Sequence, residues 1–182
     1  NISGDKMKKY ILFILLLFVG IQVSALEKFE VTLSKCVDGD TANFMYKGKL
    51  MKARFLAIDT PELQKDTYGN EASSFTCKYL SDAKKIELEY DAESDKYDKY
   101  KRHLVWVFVD NKLLQEKIVI EGFAKVAYIY GNYKYTNDLL EAESIAKNNK
   151  LNIWKEETNI SLYITVVLII ILILILLKKK RY

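Results

Sequence analysis

Three short segments of the chain hold the side chains whose types and spacing could do chemistry. They are residues 38–41 (DGDT), 54–62 (RFLAIDTPE) and 98–104 (DKYKRHL). Carboxylates can bind cations or accept protons, and arginines can bind anions without losing their charge. Each segment alone is also typical of an ordinary turn, a charged strand end or a solvated loop. Together, and in this order, the three are far less ordinary.

The inventory of metal ligands and nucleophiles excludes several classes of enzyme. The chain has one histidine, His103, and two cysteines, Cys36 and Cys77, so neither a four-ligand Cys/His zinc site nor two-histidine catalysis can be built. No segment matches the P-loop or the nucleophile elbow. The two cysteines are compatible with a disulfide in an oxidising compartment. The sequence does not decide whether they meet, and free thiols are slightly favoured.

The net charge gives no sign of nucleic-acid binding. The whole chain carries 28 basic and 24 acidic residues, but its two ends contribute seven basic residues and one acidic residue. The part between them therefore holds 21 basic and 23 acidic residues. Any binding of phosphate must depend on the local placement of Arg and Lys.

The elements that must position the three segments are short strands with helices between and after them. Strands are predicted by alternating or β-branched residues at 29–37, 41–46, 50–58, 86–90 and 104–109. Helices are predicted at 70–83, at 113–121 and from a cap at Thr136 or Asn137 to about residue 150. Lys47-Gly48-Lys49 is typical of a hairpin turn, and Gly122 of a helix end. This order predicts a small α+β domain whose sheet curls into a barrel.

In their order and spacing, the three segments resemble the staphylococcal nuclease family, also called thermonuclease. Residues 68–73, 83–87, 121–128 and 151–154 are similar to the family as well. The resemblance covers about residues 30–154 and includes neither end of the chain. It implies an OB-type five-stranded barrel with three helices and a single Ca²⁺. It also implies endonucleolytic cleavage of DNA and RNA, preferably single-stranded or locally open, that leaves 3′-phosphates.

The resemblance assigns roles to nine residues. They are the metal ligands Asp40, Asp59 and the Thr60 carbonyl, the catalytic residues Arg54, Glu62 and Arg102, and the substrate-binding residues Lys99, Tyr100 and Tyr128. Hard oxygen ligands suit Ca²⁺, and planar arginines suit a phosphate clamp. The glutamate would hold or deprotonate the attacking water. The phenol rings would contact bases.

Two departures from the family pattern affect the implied site. The loop at 63–67 is shorter and less basic than in the best-known member, and Lys101 and His103 flank Arg102 where that member has glycines. These changes could shift the Arg102 backbone or add phosphate contacts. The alternative function is a catalytically silent OB-type binding module. Relatives of that kind have lost the acidic and arginine residues that this chain retains.

The two ends of the chain predict a secreted, membrane-anchored protein. From Met7, two lysines lead into an apolar run, and residues 23–25 offer a small-residue cleavage site, so residues up to 25 are predicted to hold a signal peptide that starts at Met7. An uncleaved N-terminal anchor is the alternative. Residues 26–158 are predicted to form the nuclease domain.

The C-terminal end predicts the anchor itself. Residues 160–177 are 18 uncharged residues, long enough as a helix to reach about 27 Å across a core of about 30 Å. The basic tail at 178–182 then predicts a cytoplasmic C-terminus and an extracytoplasmic domain. Lys179 and Lys180 also resemble a dilysine retrieval signal, although a positive-inside anchor is favoured.

Overall fold

The computed structural model describes residues 27–155 together with 164–165, 167–171 and 173. The predicted signal peptide and the tail at 178–182 lie outside these residues, as does part of the predicted membrane helix at 160–177. The described residues of that segment are helical. Across the described parts of the chain, no helix is both long enough and apolar enough to cross a bilayer.

Strands and helices follow one another along residues 27–155 as an α+β domain. The strands are β1 Phe29–Cys36, β2 Thr41–Tyr46, β3 Lys49–Phe55, β4 Ile58–Asp59, β5 Ile86–Glu89, β6 His103–Val109, β7 Lys112–Leu113 and β8 Lys125–Val126. The helices are α1 Gly69–Asp82, α2 Leu114–Ile120 and α3 Thr136–Asn148, and a 3₁₀ turn follows at Asn152–Trp154.

Five of the strands close into a barrel. Their order is β3-β2-β1-β5-β6, and β3 also pairs with β6 in parallel, which joins the two edges. The short strand β4 pairs outside this barrel with β8. Closure removes the exposed edges of the sheet. The predicted α+β class with a five-stranded OB-type barrel is confirmed.

Buried apolar side chains explain why the strands close in this way. The largest fully buried side chains, Trp106, Phe44 and Phe55, belong to the barrel strands, and the helices add buried aliphatic chains such as Leu80 and Ile118. Gln115 of α2 is buried as well, donating to the Val105 carbonyl and accepting from the Val107 amide. Its two bonds satisfy the buried amide group and tie α2 to β6, so the helix and the strand hold a fixed relative position.

The predicted strand at 50–58 is interrupted. Strand β3 ends at Phe55 because Ala57 adopts a left-handed backbone with φ of 59°, and β4 begins at Ile58. Leu56 and Ala57 are both buried, so the apolar pattern continues through the bend and hides it from sequence analysis. The bend turns the end of the segment, with Asp59, out of the barrel and toward β8.

Two further expectations are corrected. Free thiols were favoured for Cys36 and Cys77, but the two form a disulfide with a Cα–Cα distance of 5.5 Å. Barrel packing brings the end of β1 onto α1 across 41 residues of sequence, a contact that local patterns do not report. Thr136 was a candidate cap for α3, yet it is the first residue of the helix, its Oγ1 is buried without a partner, and Tyr135 takes the cap position.

Candidate active site

The turn between β1 and β2 presents a buried carboxylate. Asp40 Oδ2 accepts hydrogen bonds from the Thr60 amide and hydroxyl, each at 3.0 Å. The Thr41 hydroxyl donates to Asp40 Oδ1 at 3.0 Å, and the Asp40 amide donates to Asp38 Oδ1 at 3.1 Å. The first and second chemical segments therefore meet at Asp40, which links the 38–41 turn to Thr60.

Arg54 lies next to this turn because β2 and β3 pair with Thr41 opposite Arg54. Its Nε is 3.1 Å from Asp40 Oδ1, and its Nη2 is 3.5 Å from Asp59 Oδ1. Its Nη1 donates to the carbonyls of Phe55 and Ile58 at 2.9 Å. With only 12% of its side chain exposed, the guanidinium is held rigidly between the two carboxylates.

The short loop after Pro61 fixes the backbone of Glu62 and leaves its carboxylate in solvent. The Glu62 amide donates to Asp66 Oδ2 at 2.9 Å, and the Glu62 carbonyl accepts from the Lys65 and Asp66 amides. The Glu62 side chain is 72% exposed and lies 3.8 Å from the Lys65 ammonium. Such an exposed pair contributes little energy, so the carboxylate is available to another partner.

Arg102 enters the same region from the start of β6. The parallel pairing of β3 and β6 places Arg54 opposite Leu104, which brings the two arginine-bearing segments side by side. Asp98 Oδ2 accepts from Arg102 Nε at 2.7 Å, and Asp98 Oδ1 accepts from the Arg102 amide at 2.8 Å. Arg102 Nη1 is 3.5 Å from the Thr41 hydroxyl. At 28% exposure, its terminal NH₂ groups are less committed than those of Arg54.

The Asp98 carboxylate shows the strength of this pairing. Burial alone would raise the pKa of Asp98, but the hydrogen bonds and charge of Arg102 outweigh burial and lower that pKa. Arg102 thus stabilises the ionised form of the Asp98 carboxylate.

Lys101 and His103, the two residues that flank Arg102, take different positions. Lys101 adopts the left-handed conformation, with φ of 61°, that glycine adopts most readily. His103 packs its ring against Tyr97 at 4.7 Å, and its Nδ1 is 2.6 Å from the Tyr90 hydroxyl. His103 thus turns to a neighbouring aromatic cluster, and the Arg102 backbone keeps its bonds to Asp98.

Exposed aromatic rings lie beside both arginines. The Arg54 guanidinium carbon is 5.8 Å from the centre of the Tyr128 ring, and that of Arg102 is 5.4 Å from the Tyr100 ring. The Lys99 ammonium is 5.0 Å from the Tyr100 ring. Pairing of β4 with β8, continued by a bond from the Ala127 amide to the Ala57 carbonyl, brings the Tyr128 segment to this side.

The arginines, carboxylates and exposed aromatic rings described above line one cleft of about 890 Å³, which we call the site cleft. The nine residues given roles at the sequence level all line it: Asp40, Asp59, Thr60, Arg54, Glu62, Arg102, Lys99, Tyr100 and Tyr128. Residues without an assigned role line it too, among them Asp38, Thr41, Asp98, Tyr97, Tyr130 and Tyr133. Asp38, Thr41 and Asp98 belong to the three chemical segments, so the sequence could have indicated that they line the cleft. Nothing in the sequence pointed to Tyr133.

The carboxylates at the base of the site cleft are crowded. Burial and then the charge of Asp40 raise the pKa of Asp38, and the same two causes raise the pKa of Asp59. A bound cation would offset this repulsion, and the donors are hard oxygens of the kind that Ca²⁺ prefers. Among the described residues, no group of three or more His, Cys, Asp or Glu side chains is assembled.

Comparison with known proteins extends over most of the domain. Residues 52–156 match the family described as staphylococcal nuclease homologue. The chain is 43% identical to the SPbeta prophage-derived endonuclease YokF of Bacillus subtilis (strain 168), over 71% of this chain and 45% of that protein. It is 42% identical to endonuclease YncB of the same organism, over 70% of this chain and 62% of that protein.

A third relative is covered more fully. The thermonuclease of Staphylococcus hyicus is 36% identical to the chain, over 66% of this chain and 72% of that protein. The chain spans less than two thirds of each Bacillus relative. The family match at 52–156 begins within β3 and includes every residue that lines the site cleft except Asp38, Asp40 and Thr41. The chain belongs to the staphylococcal nuclease family.

Proposed function

We propose that this chain is a Ca²⁺-dependent endonuclease that hydrolyses phosphodiester bonds of DNA and RNA and leaves 3′-phosphates. The observation that carries the proposal is that two arginines and the carboxylates of Asp40, Asp59 and Glu62 line one cleft. The names of the similar endonucleases and of the Staphylococcus hyicus thermonuclease support it.

The two arginines have different tasks in this proposal. Arg54 is fixed by Asp40, Asp59 and two carbonyls, so it offers the substrate a rigid positive charge. Arg102 has freer terminal nitrogens and can close on a phosphate as charge develops in the transition state. Preorganised donors of this kind stabilise a transition state more than a ground state.

The chain's carboxylates divide into ligands and a water-binding group. Asp40, Asp59 and the Thr60 carbonyl would hold Ca²⁺, which when bound polarises the phosphorus centre and stabilises developing charge. The exposed Glu62 carboxylate orients the attacking water and can accept its proton. The water oxygen bonds to phosphorus, the bond from phosphorus to the 5′ oxygen breaks, and the 3′ side keeps the phosphate. The 5′ oxygen takes a proton from solvent and leaves as a hydroxyl.

Digestion of plasmid DNA and RNA by the purified protein tests the proposal. Cleavage should need Ca²⁺ and stop with EGTA, and Asp40→Asn should weaken Ca²⁺ binding in titration calorimetry. Glu62→Gln should lower kcat by at least about 10²-fold, because it removes a group that acts in the transition state. The same variant should still bind a single-stranded oligonucleotide.

The same experiment distinguishes the nuclease from the alternative function. A catalytically silent OB-type module would bind the oligonucleotide yet cut it no faster than Glu62→Gln does. Full cleavage in excess chelator would show that the protein is a nuclease whose mechanism does not need Ca²⁺.

We also propose a location for this activity. The predicted signal peptide, the uncharged run at 160–177 and the basic tail support a single-pass membrane protein with its nuclease domain outside the cytoplasm.

A further inference from the structure

An exposed tyrosine at the Arg102 end of the site cleft has no role in the chemistry described so far. Tyr97 lines the cleft and keeps 48% of its surface exposed. A tyrosine that serves only the packing of this cleft would resemble Tyr133, which also lines it but is 5% exposed. The open surface of Tyr97 is therefore available to a ligand.

The Tyr97 ring packs against His103, which in turn contacts Tyr90. Its centroid lies 4.7 Å from that of the His103 ring, and His103 Nδ1 lies 2.6 Å from the Tyr90 hydroxyl. Burial and the nearby charges of Tyr97 and Tyr46 raise the pKa of Tyr90 to about 12, so this hydroxyl keeps its proton near neutral pH. We call Tyr97, His103 and Tyr90 the aromatic ledge.

Backbone hydrogen bonds connect Tyr97 of the aromatic ledge to the segment that holds Arg102. Tyr97 and His103 form an antiparallel bridge, and the Leu104 amide donates to the Lys96 carbonyl at 3.1 Å. The Asp98 amide donates to the Arg102 carbonyl at 3.0 Å. Tyr97 is therefore fixed relative to Arg102 before any substrate arrives.

The charges around the aromatic ledge select the kind of group that fits it. Glu93 and Asp95 line the same cleft, and their carboxylates disfavour a phosphate there. The Lys96 ammonium is 4.9 Å from the Tyr90 ring and 5.8 Å from the Tyr97 ring, so its charge is directed partly to the rings. A neutral, flat, aromatic group suits this surface better than a phosphate does.

We propose that Tyr97 is a stacking subsite for a nucleobase that flanks the phosphate held by Arg54 and Arg102. His103 and Tyr90 are positioning residues that hold the ring in place. The inference rests on the proposed function, since it needs a nucleic-acid strand in the site cleft. It adds a base-contacting residue to the predicted Tyr100 and Tyr128.

Oligonucleotide binding without cleavage tests the subsite. The full chain in detergent, carrying Glu62→Gln, is titrated against a fluorescent single-stranded oligonucleotide and against an abasic sugar-phosphate chain of the same length. Adding Tyr97→Ala should weaken binding of the base-containing strand by about 5- to 150-fold, the range of one base–aromatic stack. Binding of the abasic chain should stay the same.

Conservative variants separate stacking from folding. Tyr97→Phe keeps the ring and should bind the oligonucleotide within about twofold of the parent, whereas Tyr97→Leu keeps bulk without a π face and should lose affinity as Tyr97→Ala does. His103→Gly should lose part of the affinity for the base-containing strand and none for the abasic chain. Leu50→Ala, near the start of β3, is the exposed control and should change neither.

Two results would overturn the subsite. One is unchanged oligonucleotide affinity in Tyr97→Ala, and the other is an equal loss on the abasic chain, which would indicate a general structural role. Failure of the proposed function looks different, because the parent protein would then not cut nucleic acid at all. If the parent cuts nucleic acid and Tyr97→Ala binds the oligonucleotide as the parent does, only the stacking subsite is disproved.

Discussion

Most charged side chains of the site cleft are held by other charged or polar groups of the same cleft. Asp40 accepts bonds from two threonines and pairs with Arg54, while Thr41 lies between Asp40 and Arg102. Few of these groups can change position alone. The Glu62 carboxylate differs from these groups, since it is exposed and only the Glu62 backbone is fixed. At this scale the cleft combines an arginine held between two carboxylates, Arg54, with the exposed Glu62 carboxylate next to the same segment.

Asp98→Ala should lower kcat/KM by roughly 10²-fold, because Arg102 would lose the acceptor of both its Nε and its amide and would no longer be positioned. Steady-state cleavage of an oligonucleotide measures this. Asp110→Ala is the matched control, since Asp110 also accepts two backbone amides, from Lys84 and Lys85, but does not line the cleft. Equal kinetic losses in both variants would contradict a specific role for Asp98.

His103 should make the protein less stable in mild acid. Burial and then the charge of Lys96 lower the pKa of His103 below its ordinary 6.5. At pH values between the lowered pKa of the folded protein and 6.5, the unfolded chain binds more protons than the folded chain. The free energy of unfolding therefore falls as pH decreases below about 6.5. Urea unfolding at several pH values between about 7.5 and 5 measures the slope.

His103→Gln supplies the control for that slope. Carboxylates with raised pKa values, Asp38 and Asp59, titrate in both proteins and cancel in the difference. The parent should lose more stability than the variant over this pH range. Identical slopes would show that protonation of His103 is not linked to folding.

Helix α1 connects the two acidic parts of the site cleft. Its Thr76 hydroxyl, fully buried, donates to the Gly39 carbonyl at 2.8 Å, and its Cys77 is bonded to Cys36 at the end of β1. At its other end, Gly69 packs against the Glu62 carbonyl. One rigid helix thus relates the 38–41 turn to the glutamate that would bind water.

Gly69→Ala should lower kcat by displacing Glu62, since an added Cβ would lie within 3.0 Å of the Glu62 carbonyl, a distance that real Cβ atoms essentially never show. Overpacking of this kind also costs about 1–3 kcal/mol of stability. Gly48→Ala is the control: its φ of 76° makes alanine unfavourable, but no atom lies within 4 Å and the hairpin is remote from the cleft. A Gly69→Ala variant with the parent's kcat would show that the contact does not position Glu62.

Replacing both Cys36 and Cys77 by serine should lower the free energy of unfolding by up to about 4 kcal/mol, the chain-entropy value for a separation of 41 residues. Chemical unfolding with and without a reductant measures this. The reductant should destabilise the parent and leave the double variant unchanged. Equal stability of the oxidised parent and the double variant would mean that the remaining contacts of α1 suffice.

The whole molecule depends on closure of the barrel. Parallel pairing of β3 with β6 joins strands that are about fifty residues apart and brings their arginines to one rim. The β4–β8 pair and the Tyr128 segment add the opposite wall. The site cleft therefore exists only when the complete domain is folded.

The topology proposal makes a prediction for the full chain. Residues 26–158 alone should fold and remain soluble, whereas the natural product should stay with membranes after high-salt and carbonate washing, because residues 160–177 would lie in the hydrocarbon core. Fractionation followed by protease protection measures both the anchorage and the side on which the domain lies. Release of the full product by these washes would disprove the anchor.

The sequence by itself determined the class of the domain and pointed to nine residues that all line one cleft. Alternating apolar residues are a local property, so most strands and helices were predictable within a few residues of their observed bounds. The spacing of the three chemical segments was sufficient to identify the family.

Only the tertiary structure decided how those residues contact one another. It showed the disulfide between Cys36 and Cys77, the bend at Ala57, the use of nearly every Arg54 donor and the position of Tyr97 on His103. Each of these features depends on a contact between separate segments or on a backbone angle. Local apolar patterns report which face of a strand is buried, but they carry no information on which distant residue will lie opposite.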